Sequence, residues 1–165
     1  MGSNHAGHVH EPLGLKGRAL TAGLKSAEAR CEALGQKLTP ARRRVLELLM
    51  QAGQPVKAYD LISAFSEEAG ETAKPPTVYR ALEFLEREGL AHRIESLSAY
   101  IACSGDPGDH AAAFLICDCC GRTQEVAAPV DQALRRLADE AGYALSTVTI
   151  EARGRCAACP DPTKT

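Results

Sequence analysis

No apolar run in this chain approaches the roughly 20 residues that a helix needs to cross a bilayer, which excludes a helical membrane span. Residues 1–14 lack both a basic n-region and an apolar h-region. That excludes a secretory signal and leads to the expectation of a cytoplasmic protein without membrane contact. An excess of positive charge is missing too, since 19 Lys and Arg face 21 Asp and Glu, a formal net charge of −2. No segment restores it. Residues 37–100 hold nine basic and nine acidic side chains, and residues 101–165 hold six against nine. Charge alone therefore gives no footprint for nucleic acid, and such a function must rest on local pattern. There is no HExxH, no nucleophile elbow and no phosphate loop, so the sequence points away from an enzyme.

Against these absences stand seven cysteines. A chain of 165 residues is one domain or two small ones, and small domains need a metal, disulfides or a partner to complete their cores. In a reducing compartment paired Cys-x-x-Cys means metal more often than disulfide, and the odd count also speaks against a disulfide framework. The stretch from His92 to Glu125 gathers His92, His110, Cys103, Cys117, Cys119 and Cys120. A second pair, Cys156 and Cys159, follows near the C-terminus.

Periodicity divides the chain. Residues 1–14 are a Gly- and His-rich tail, expected to be disordered, in which His5, His8 and His10 read as solvated. A helix over 15–35 sets Leu20, Leu24, Ala27, Cys31 and Leu34 on one face. Thr39-Pro40 opens the next, with Val45, Leu46, Leu48 and Leu49 apolar and Gly53 as its stop. Arg42, Arg43 and Arg44 in its first turns oppose the helix dipole, a small penalty that a nearby phosphate would reverse; a solvated cluster is the equal alternative. Lys57 to Ala69 makes a third helix with Leu61, Ile62 and Phe65 inward. Pro75-Pro76 starts a fourth, ending at Gly89, with Val78, Leu82 and Leu85 buried and Tyr79, Arg80, Glu83 and Arg87 pointing elsewhere. The runs LAHRI and AYIAC then read as a β-hairpin.

Helices followed by a hairpin give the order of a winged helix-turn-helix, with the last helix in the major groove and the hairpin as wing. Tyr79 and Arg80 then stand at the leading end of the reading helix, where arginine can bond guanine and tyrosine can meet phosphate or a thymine methyl. Surface residues of a plain helical bundle would look the same. Beyond a turn-rich linker, Ala113 to Cys117 and Thr123 to Ala127 read as strands, Pro129 to Ala141 as an amphipathic helix with Val130, Leu134 and Leu137 inward, and Tyr143 to Glu151 as a strand. Such a unit is small, and a dimer would supply the missing core. The expected fold class is α+β, with an N-terminal winged helix-turn-helix over 15–102, a linker over 103–110 and a small C-terminal α/β unit over 111–160; the resemblance given below implies that these are the DNA-binding domain, the hinge and the dimerisation and metal-binding domain.

Cys117-x-x-Cys120 and Cys156-x-x-Cys159 carry the strongest chemistry. Each pair has the separation at which two thiolates reach one tetrahedral zinc, at about 2.3 Å, and Gly121 permits the tight turn behind the first pair. A helix and a strand fill the 35 residues between the pairs, so the metal would staple the ends of the C-terminal unit. Cys119 would point away. His92, Cys103, His110 and Glu125 form a second candidate set of mixed N, S and O donors that suits zinc. On spacing alone this signal is weak, and His92 and His110 read more readily as ordinary surface residues.

The segments KPPTVYRALEFL (74–85), HRIES (92–96), HAAAFLICDCCG (110–121) and IEARGRCAAC (150–159) together resemble the ferric-uptake-regulator superfamily, and most of all its zinc-uptake-regulator branch, over residues 20–160. The resemblance implies a homodimeric, zinc-responsive repressor that binds a palindromic double-stranded DNA operator. It implies two zinc ions per chain: a structural one on Cys117, Cys120, Cys156 and Cys159, and a regulatory one on His92, Cys103, His110 and Glu125. It places DNA contacts at Tyr79, Arg80 and Tyr59. The histidine run of iron-type members is reduced to His110 followed by alanines, which favours zinc. Cys119 is additional, and Ser63 and Ser66 stand where some relatives carry a charged pair that links adjacent dimers. A sensor of peroxide, iron or manganese on the same fold is the nearest alternative, and a zinc hydrolase a more distant one.

Overall fold

The computed structural model describes residues 14–69, 74–103, 112–127, 130–145 and 148–159. Two compact units divide the chain, one spanning Pro12–Gly108 and the other containing Asp109–Thr165.

In the first unit, α1 (Gly17–Ala33), α2 (Pro40–Ala52), β1 (Val56–Lys57), α3 (Ala58–Ala69), α4 (Pro75–Arg87), β2 (Ala91–Ile94) and β3 (Ala99–Ala102) follow in order. Punctuation residues set the bounds. Proline occupies the first turn of α2 and of α4, where its missing N–H costs nothing. Gly53 closes α2 in the left-handed region at φ 58°. Leu24, Ala27 and Cys31 of α1, Val45, Leu46 and Leu49 of α2, Leu61 of α3, and Val78, Ala81, Leu82, Phe84 and Leu85 of α4 build one core. Leu20, Leu48, Ile62 and Phe65 pack partly against it, as their spacing predicts. Leu34 departs from the expected face, being 56% exposed at the α1 C-cap, where the helical period has ended.

The hairpin β2–β3 is antiparallel, with His92 opposite Ile101 and Arg93 opposite Tyr100. A turn over Glu95–Leu97 reverses the chain, and Ser98 takes φ 48°. Lys57, read from sequence as the start of a helix, lies instead in β1, which joins the outer edge of β3 through Val56 opposite Tyr100. Two residues are too few to show alternation; their partner strand makes them extended. The result is a three-stranded wing in the order β1-β3-β2.

The second unit holds β4 (Ala112–Cys117), β5 (Thr123–Ala127), α5 (Val130–Glu140) and β6 (Thr149–Gly154). β4 is central, antiparallel to β5 and parallel to β6. The last strand differs from the expected Tyr143–Glu151. The ladder to β4 runs from Thr149 opposite Ala112 to Gly154 opposite Cys117, so pairing rather than alternation sets its bounds. α5 forms as expected, but Leu134 and Leu137 do not turn inward within the chain: they are 40% and 61% exposed. The side chain of Val130 lies outside the described residues.

Candidate metal centre and nucleic-acid face

The sheet brings the two cysteine pairs together. Cys117 ends β4, and the turn to β5 carries Cys120 and then Gly121 at φ 73°. β6 runs parallel to β4, so its C-terminal end arrives at the same edge, and Cys156 follows two residues beyond Gly154. The amide of Asp118 donates to the Gly154 carbonyl at 2.7 Å, and Arg153 clamps the Asp118 carboxylate through Nε at 2.8 Å and Nη2 at 2.7 Å. This clamp was not anticipated from sequence. Asp118 lies inside the first Cys-x-x-Cys and Arg153 just before the second, so only the parallel register reveals the pair.

The sulfurs of Cys117, Cys120, Cys156 and Cys159 lie within 4.8 Å of one another. Cys117 Sγ is 3.8 Å from Cys159 Sγ, Cys120 Sγ is 3.8 Å from Cys156 Sγ, and Cys156 Sγ is 3.5 Å from Cys159 Sγ. Backbone amides favour charge on this cluster. The Cys156 N–H donates to Cys117 Sγ at 3.3 Å. With further help from the Cys120 backbone, it brings the Cys117 thiol down to about 6. Burial, and the neighbouring thiols after it, push Cys159 in the opposite direction. Four convergent sulfurs, with backbone amides favouring the charged form of one, are the donor set of a tetrahedral, thiophilic ion, so these residues fit zinc. Cys119 is half-buried in the same turn and stands outside the group of four.

The second candidate set is distributed over the two units. His92 is half-buried on β2. Cys103 follows β3 directly and donates its amide to the Leu90 carbonyl at 3.0 Å. The hairpin thus sets the donor atoms of His92 and Cys103 within 4.8 Å of each other. Glu125 belongs to the other unit, on β5 opposite Phe114. His110 lies outside the described residues.

On the first unit, Tyr59 near the start of α3 is 76% exposed, Tyr79 of α4 is 47% exposed, and Arg80 is exposed beside it. The arginines of α2 are not a freely solvated cluster, since each has a partner within the fold. Arg42 stacks its guanidinium 3.6 Å from the Phe84 ring, Arg43 pairs with Glu28 at 2.8 Å, and Arg44 pairs with Glu47 at 3.2 Å. The first two contacts tie α2 to α4 and α1, the third lies within α2, and together they answer the unfavourable dipole from inside the fold. The ring at position 84 would have been the signal, had its burial been read from the α4 pattern.

Comparison with known proteins follows the same lines. The model of the ferric uptake regulator family matches residues 33–153. The zinc uptake regulation protein of Escherichia coli strain K12 is 43% identical over 138 residues, covering 82% of this chain and 80% of that protein. A solved zinc uptake regulator complexed with zinc and DNA superposes with a TM-score of 0.81 at 40% identity, covering 87% of this chain and 96% of that one. The structure of holo XcZur superposes with a TM-score of 0.75, also at 40% identity, covering 82% and 95%.

Proposed function

Since this chain belongs to the ferric uptake regulator family, we propose that it is a zinc-responsive, DNA-binding transcriptional repressor. The observation that carries the reading is a winged helix with an exposed aromatic–arginine face on a chain that also gathers four cysteine sulfurs. In this reading Cys117, Cys120, Cys156 and Cys159 hold a structural zinc, and His92, Cys103, His110 and Glu125 hold a regulatory one, two ions per chain. A bound zinc supplies cross-linking and charge neutralisation at those thiolates. The chain's own residues do the rest. Tyr79, Arg80 and Tyr59 contact the operator, and residues 103–110 act as the hinge between the DNA-binding and dimerisation domains. The chain acts as a homodimer without catalytic turnover. Leu134, Leu137 and Tyr143, all well exposed, suit a face that a second copy covers. Two reading helices related by a twofold axis match a palindromic operator with half-sites one helical turn apart, about 34 Å.

A ligand shifts an equilibrium only by its differential affinity for the two states. The regulatory donors would bind zinc best when the hinge holds the two reading helices at operator spacing. By linkage the operator then tightens zinc binding by the same factor. The test is selection from a randomised duplex pool by the full chain, with and without buffered zinc. Recovery of a palindromic consensus only with zinc is expected. Recovery of the same consensus in chelator would remove zinc response from the reading, and no enrichment in either condition would remove DNA recognition.

Arg80→Ala tests the reading helix directly. An arginine bonded bidentately to guanine is worth about 1–3 kcal/mol of discrimination, so the variant should lose roughly 5- to 150-fold in affinity for the selected operator. Because Arg80 is exposed, the thermal melt should not move. Fluorescence anisotropy reads the affinity, and an unchanged value would count against α4 as the reader.

A further inference from the structure

A helix that enters a groove presents a whole face, and on α4 that face includes an acid. Successive helical positions turn by about 100° and rise ~1.5 Å. With Tyr79 set at zero, Glu83 stands at about 40°, Arg87 at about 80° and Arg80 at about 100°. All four are exposed, while Val78, Ala81, Leu82, Phe84 and Leu85 fill the buried side. Glu83 therefore falls between Tyr79 and Arg80 around the axis, one turn further along.

Its helical neighbours do not neutralise it. Among the described residues neither Arg80, three positions before, nor Arg87, four positions after, forms an ion pair with Glu83. Arg87 turns its Nε to Glu88 at 3.0 Å and leans over Phe84 at 5.3 Å. A carboxylate on a face that meets phosphates weakens binding to every sequence. The same repulsion becomes discrimination where the carboxylate meets bases that present only acceptors.

We propose that Glu83 is a specificity-determining residue that accepts a hydrogen bond from the N4 amine of a cytosine, in the base pair beside the one Arg80 reads. The inference rests on the reading of α4 as the recognition helix. Of the four bases, only cytosine and adenine offer a donor in the major groove. Adenine N6 lies between two acceptors, its own N7 and the O4 of the paired thymine, which repel a carboxylate, whereas cytosine N4 has an acceptor on one side only, the O6 of its paired guanine, and C5–H on the other. Guanine O6 and N7 and thymine O4 are acceptors and are rejected outright. The spacing agrees: three residues of helix rise about 4.5 Å, close to one base-pair step of ~3.4 Å.

The experiment is selection from a randomised duplex pool by the zinc-loaded full chain, carried out in parallel on wild type, Glu83→Gln and Glu83→Ala. The wild type should return a cytosine in each half-site. Glu83→Gln should exchange that cytosine for adenine, since glutamine bonds adenine N6 and N7 together. Glu83→Ala should leave the position degenerate, with discrimination down about tenfold or more, while affinity for unrelated duplex rises. One consensus shared by all three proteins overturns the assignment. A wild type that selects no consensus overturns the recognition-helix reading and the assignment with it. Glu83 is exposed, and matching thermal melts will show that the variants compare folded proteins.

Discussion

Cys156→Ser is expected to strip the structural zinc and unfold the unit that contains it. One residue supplies three contacts: its sulfur lies 3.8 Å from Cys120 Sγ and 3.5 Å from Cys159 Sγ, and its N–H donates to Cys117 Sγ at 3.3 Å. The serine variant keeps the amide bond but removes a thiolate that a hydroxyl replaces poorly toward zinc. What the cluster joins makes the loss large. It ties the β4–β5 turn to the chain beyond β6, and β6 is otherwise held in the sheet along one edge by its ladder to β4. Structural zinc contributes about 10–16 kcal/mol at neutral pH, comparable with the ~5–15 kcal/mol that holds a whole domain folded. We expect metal analysis of the purified variant to give one zinc fewer per chain, a lower melting temperature, and sedimentation as monomer or aggregate. Chelator strong enough to empty the cluster in the wild type should reproduce all three. Full metal content and dimeric sedimentation in Cys156→Ser would refute the structural role.

The contrast between what the sequence made legible and what it hid follows from locality. Helix limits were readable because proline and glycine act on their own backbone: Pro40, Gly53 and Pro75 mark ends of α2 and α4 wherever the rest of the chain goes. β1 and β6 were not, because an extended segment is defined by its partner. Val56 and Lys57 become a strand only beside Tyr100 and Ala99, and β6 takes its limits from β4. The same distinction governs faces. The α5 pattern correctly grouped Leu134 and Leu137, yet periodicity tells which residues share a side and not what covers it. Among the described residues neither is buried: Leu134 and Leu137 stay 40% and 61% exposed. At the metal centre each Cys-x-x-Cys was visible as a local unit, and the long gap between the pairs is bridged by the parallel β4–β6 ladder. The Asp118–Arg153 clamp, spread over that gap, had no local signature. His92 and Cys103 are intermediate. Eleven positions apart, they meet because the hairpin register sets His92 opposite Ile101, two residues before Cys103.

That hairpin geometry is the basis for expecting His92→Ala and Cys103→Ser each to abolish zinc-dependent operator binding while leaving a folded dimer. The two side chains sit at the open end of the β2–β3 hairpin, with donor atoms within 4.8 Å, and both are only half-buried. Neither belongs to the core that α1 to α4 enclose, so truncation removes donors without opening a cavity there. The four-cysteine cluster is untouched, and the dimerisation domain should persist. Coupling free energies between two ligands are typically about 1–3 kcal/mol, so the wild type should gain roughly 5- to 150-fold in operator affinity as buffered zinc rises. In either variant that rise should be absent across the same range, with affinity staying at the zinc-free value. Zinc content should fall by one per chain, and the melting temperature measured in chelator should match that of the wild type. Anisotropy titrations against buffered zinc decide the matter. A wild-type response in His92→Ala or Cys103→Ser would remove that residue from the sensor. A lost response accompanied by loss of the dimer would instead show that the residue acts on folding. The pattern should also separate the two proposed sites: Cys156→Ser loses fold and response together, whereas the hairpin variants lose response alone.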